Sequence, residues 1–69
     1  MKKLDDVLVA LGSRLTREGY GSEVRAATMD AFPPGIKRTV TRKLYLLARL
    51  RVLAMRRGYS PDSIAAFDR

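Results

Sequence analysis

The sequence predicts an all-α domain of four helices that pairs as a dimer, and three observations lead there. Apolar residues recur at spacings of three and four, and glycine, serine and proline stand where those runs stop and restart. The chain has 69 residues, which is enough for one domain spanning 1–69 and no more. A chain of this size buries only about 60% of its unfolded surface, so association with a second copy is the expected source of further stability.

The first helix is expected over about 4–18. Leu4, Val7, Leu8, Leu11 and Leu15 fall on one face, and Asp5 and Asp6 suit the positive end of the helix dipole. Gly19 can take the left-handed conformation that closes a helix, with Tyr20 folding back on the last turn. Ser22 then reads as the cap of a second helix over about 22–32, with Glu23 in its first turn and Val24, Ala27, Ala31 and Phe32 as its inner face. Pro33, Pro34 and Gly35 stop it and make "FPPG" a stiff corner.

The third helix is expected over about 36–57, starting between Ile36 and Thr39 and running to Arg57, roughly 30 Å long. Gly58 and Tyr59 end it as Gly19 and Tyr20 end the first. Ser60 is placed to cap a short fourth helix over 61–67, with Pro61 at its first position and Ile64 and Phe67 turned inward. "REGYGSEVRAA" and "RRGYSPDSIAA" echo each other at an offset of 39 residues. The cap rules explain that echo without duplication, a duplicated helical hairpin being the alternative. The stretch "RRGYSPDSI" also resembles the helix-to-helix junctions in repeats of the RecX family of recombination regulators. That resemblance covers this stretch alone and carries no function with it.

The net charge of +7 is unevenly placed. Residues 1–35 hold five basic and five acidic side chains, whereas residues 36–69 hold nine basic ones against Asp62 and Asp68 alone, so the whole excess lies in the second half. Eight basic residues between 37 and 57 meet no acid in that stretch, which removes the usual pairing along an exposed helix and concentrates a positive field. Arg38, Arg42, Arg49 and Arg56 fall within roughly 40° of one another on the third helix, with Tyr45 at their border. With Lys37 and Arg57 they are the candidate residues for binding nucleic acid or another partner.

On the far side of the same helix Ile36, Val40, Leu44, Leu47, Leu50, Ala54 and Met55 span more than the arc of about 100° that a small core requires. Either neighbouring helices nearly enclose this helix or part of the arc meets a second copy; the second suits so small a chain, and Leu44, Leu47, Leu50 and Ala54 are the residues expected at a dimer interface. Lys43 and Arg51 lie inside this apolar arc and need acidic partners, available only from the other helices, or must reach round to water.

With neither cysteine nor histidine, the chain lacks disulfides, thiol nucleophiles, the common zinc ligands and the usual neutral-pH base. No catalytic residues, metal or cofactor are expected, and an enzyme is not. "REGYGSE" has no phosphate-loop lysine and no preceding strand. A helix-turn-helix reader is rejected because "SPDSIAAFDR" would turn Asp62 and Asp68 toward phosphates and offers no Asn, Gln or Lys to base edges. The start of the chain is not expected to be a signal peptide, and the expected compartment is the cytoplasm. The leading expectation is a small basic regulator that holds nucleic acid by phosphate contacts from the arginine stripe. The alternative is an adaptor or inhibitor that docks on an acidic protein surface, and a lipid surface ranks third.

Overall fold

The computed structural model describes residues 3–29 and 35–69. Ala31 and Phe32 of the expected second helix, and the prolines of the "FPPG" corner, lie outside the described residues. The described chain is helical throughout its ordered elements: α1 (Leu4–Leu15), a wide turn of π type (Thr16–Tyr20), α2 (Gly21–Met29), α3 (Thr39–Arg56), α4 (Pro61–Ala65) and a closing 3-10 turn (Ala66–Asp68).

Four separate helices were expected, and among the described residues there are three helical runs: 4–29, 39–56 and 61–68. The first two expected helices are one run bent at a single residue. Gly19 does take the left-handed conformation, with φ 100° and ψ 6°. Yet Thr16 before it and Gly21 after it both keep right-handed helical angles, so the chain turns on one glycine and re-enters the helix with no linker. Ser22 is consequently the second residue of α2 and not its cap. Thr16 Oγ1 donates to the Gly12 carbonyl at 2.8 Å, a local bond of the kind that loosens a helix ladder just ahead of such a bend.

The third helix starts at Thr39, at the late end of the expected range. Arg38 is extended, with φ −75° and ψ 139°, and Gly35 has a positive φ of 95°. Ile36 and Lys37 therefore stay outside the helix, and no side chain caps its start. Its end follows the expectation: Gly58 has φ 91°, its amide donates to the Met55 carbonyl at 3.1 Å, and the Tyr59 amide donates to the Ala54 carbonyl at 3.0 Å. This crossed pair is the Schellman closure. Ser60 caps α4, its Oγ accepting from the Ser63 amide at 3.1 Å.

α3 is the central element, with α1 and α2 packed along it and α4 near its C-terminal end. The core is Val7, Leu11 and Leu15 of α1, Leu47, Leu50 and Ala54 of α3, and Ile64 of α4. Each large side chain among them contributes roughly 1.5–3 kcal/mol. The radius of gyration is 11.7 Å, near the roughly 11 Å expected for a folded chain of this length.

Among the described residues, one buried side-chain polar atom stands out. The Tyr59 hydroxyl is buried beside Glu18 and Arg14, close enough for both to act on its ionisation, but neither forms a hydrogen bond of full geometry with it. Burial pushes its pKa above the ordinary 10.0, and the neighbouring Glu18 carboxylate adds to the rise. Because the folded pKa is raised, ionising this hydroxyl disfavours the fold, so stability is unaffected by it below pH 10 and declines as pH climbs from there through the folded value. Tyr59→Phe removes an unsatisfied hydroxyl and keeps the ring. The variant is expected to be more stable by about 1 kcal/mol, about 4–8 °C in Tm, and to lose the alkaline decline that Tyr59 contributes. Thermal melts at neutral and alkaline pH check both, and a variant less stable than the parent would show that the hydroxyl has a bond.

Candidate functional site

Two features place the basic residues of α3: the helical period, and the acids that neighbouring helices supply. Lys43 Nζ pairs with Asp5 Oδ1 at 2.7 Å, a contact from α3 to the start of α1. Arg51 Nη2 donates to both oxygens of Asp68 at 2.9 Å each, tying α3 to the closing turn. This pair accounts for an arginine inside the apolar arc. It is about 40% exposed on both sides, so the guanidinium never leaves water and its desolvation cost is small. Arg57 Nε donates to Glu23 Oε2 at 2.9 Å, its Nη2 also bonds Glu23, and its guanidinium lies 5.4 Å from the centre of the Tyr20 ring.

Arg57, a candidate binding residue by sequence, is thus held against the bend and the start of α2. Charge compensation along α3 is present after all, but it is tertiary and comes from residues far away in sequence. A fourth pair, Arg14 with Glu18 at 2.5 Å, lies within the first run. Hydrogen bonding to Arg14 lowers the Glu18 pKa.

The other candidates lie along one edge. Arg38 stands just before α3, and Arg42, Tyr45, Arg49 and Arg56 follow along it within the narrow arc that the period predicts. Lys37, Arg38, Arg42 and Arg56 are exposed, while Tyr45 and Arg49 are half-buried. Arg42 Nε donates to the Ile36 carbonyl at 3.4 Å, and the Arg49 guanidinium sits 5.7 Å from the centre of the Tyr45 ring. Among the described residues, Lys37, Arg38 and Arg56 form no ion pair. The edge from Arg38 to Arg56 is about 27 Å long.

Beside the lower part of this edge runs a groove of about 460 Å³ between α2 and α3. Tyr45, Arg49 and Arg56 line it from α3 together with Ala48 and Val52, and Ala26 and Ala27 face them from α2. Sequence reasoning missed this groove. Alanines on two helices look like filler until the bend at Gly19 brings α2 alongside α3.

The residues expected at a dimer interface separate. Leu47, Leu50 and Ala54 are 4%, 2% and 0% exposed inside the chain's own core, where a second copy cannot reach them. The arc was read as one face, but its inner part packs on α1 and α4. Only Leu44 of the four is exposed, in company with Val40 and Met55.

Among the described residues no three His, Cys, Asp or Glu side chains gather as a metal site would require, and no helix is long and apolar enough to cross a membrane. Searches against family models, curated proteins and solved structures find no match to this chain, so the likeness of "RRGYSPDSI" to RecX junctions remains local.

Proposed function

We propose that this protein is a small nucleic-acid-binding regulator, acting in the cytoplasm, that holds phosphates along the arginine edge of α3. The observation that carries the reading is how the charges are sorted. Acids of α1, α2 and the closing turn pair with Lys43, Arg57 and Arg51, whereas Lys37, Arg38 and Arg56 have no acidic partner among the described residues. The positive field is therefore strongest along one edge. An arginine fork can give a phosphate two hydrogen bonds, and each neutralised phosphate releases counterions. Because no side chain set for base reading accompanies the edge, contacts to the backbone dominate and sequence preference is weak.

Titration of labelled DNA at several salt concentrations tests this. Affinity is expected to fall steeply with salt, by a slope of about 0.7–0.9 for each phosphate neutralised. Absence of binding at low salt, combined with capture of an acidic protein surface by the same arginines, would select the adaptor or inhibitor alternative.

A homodimer belongs to the same reading through Val40, Leu44 and Met55, which are 61%, 53% and 60% exposed along the outer arc of α3. Light scattering at micromolar concentration is expected to give twice the chain mass of 7.7 kDa. A single-chain mass removes the dimer and leaves the phosphate contacts untouched.

A further inference from the structure

We infer that the groove between α2 and α3 receives the bases of a single strand, so that the nucleic acid held by the arginine edge is single-stranded in preference to duplex. The inference rests on the nucleic-acid reading above and deepens it. A single strand has two chemistries along its length, a charged backbone and flat apolar faces, and needs a surface that offers both side by side. The α3 edge does so. Arg49 and Arg56 stand at the groove, and its interior is made of Ala26, Ala27, Ala48 and the half-exposed Val52 with the Tyr45 ring. The one carboxylate among its described lining residues, Glu23, is paired with Arg57 and so repels phosphate weakly.

Duplex DNA keeps its base faces stacked inside and would leave this apolar lining in water. The occupant is also set by length. Arg38 and Arg42 continue the basic row beyond the groove, since neither lines it. An extended backbone follows the whole row, whereas a helix of an acidic protein seated in the groove would not reach Arg38 and Arg42. Tyr45 and Arg49 form one wall, and a guanidinium beside an aromatic ring is itself a surface on which a base can stack.

The test compares a labelled oligothymidine, the same strand annealed to its complement, and an acidic helical peptide, each titrated against the full chain and two variants. Val52→Asp places a charge in the groove at a position 47% exposed, and Val9→Asp places the same charge on α1, 66% exposed and outside the groove. Circular dichroism establishes that both fold. The parent is expected to bind the single strand about tenfold more tightly than the duplex, the return from stacking about one base. Val52→Asp is expected to lose that preference, and Val9→Asp to retain it. Equal affinity for single strand and duplex, or a preference unchanged in Val52→Asp, overturns this inference and leaves the phosphate reading standing. Binding of neither nucleic acid, with or without binding of the acidic peptide, overturns both.

Discussion

Leu50→Ala is expected to cost about 2–5 kcal/mol, comparable with the entire stability of a chain this small. At 0.05–0.15 kcal/mol per residue, 69 residues give roughly 3–10 kcal/mol. Leu50 is 2% exposed, and one of its methyl groups faces Gly12 of α1. A Cβ on Gly12 would be 3.9 Å from that methyl and 3.9 Å from Val24 of α2, so Leu50 fills the junction of three helices. Truncating it leaves a void that none of the three can close without losing its contacts with the other two. Urea unfolding should show a midpoint near zero denaturant or a chain largely unfolded in buffer. Leu44→Ala, on the same helix but 53% exposed, is expected to change stability by no more than about 0.5 kcal/mol under conditions where the chain is monomeric. Equal losses at the two positions would mean that the core lies elsewhere.

The contrast between these two leucines also marks how much of the molecule could be read from the sequence. Local rules were sufficient for the inner face of α1, the Schellman closure at Gly58 and the cap at Ser60, because each depends on residues within one or two turns. The helical period also sets Arg42, Arg49 and Arg56 along one edge of α3, but it does not govern Arg38, which is extended and precedes the helix. Local rules failed where the answer depends on a neighbour. A glycine stop followed by serine looks the same whether a linker follows or the helix resumes at once, and only the backbone at Gly21 distinguishes the two. The wide apolar arc of α3 gave no sign of where the core ends and the outer surface begins, because Leu44 and Leu47 are equivalent until α1 is docked. Arg51 needed an acid, and the sequence offered seven; that Asp68 is the one follows from the closing turn reaching back to α3.

Arg38→Glu combined with Arg56→Glu is expected to lower nucleic-acid affinity by about a hundredfold and to leave the fold intact. A charge-assisted hydrogen bond contributes roughly 1.5–3 kcal/mol, and 1.4 kcal/mol is tenfold, so losing both ends of the row removes at least about two decades. Reversal also repels phosphate where neutral alanine would not, and the alanine pair should therefore lose less. The fold has little reason to respond. Both residues are exposed and form no ion pair among the described residues, a setting in which substitutions usually stay within about 0.5 kcal/mol. Glutamate at 38 sits before the positive end of α3 and is favoured there, while glutamate at 56 lies in its last turn and is disfavoured by a similar amount. The salt slope separates a lost contact from a general loss of charge, since each phosphate contact removed should flatten it by about 1. Reversing Lys43 and Arg51 changes the net charge equally but acts on residues already paired with Asp5 and Asp68. If nucleic acid were attracted only by net charge, the two double variants would weaken binding alike, and the arginine edge would have no special part in it.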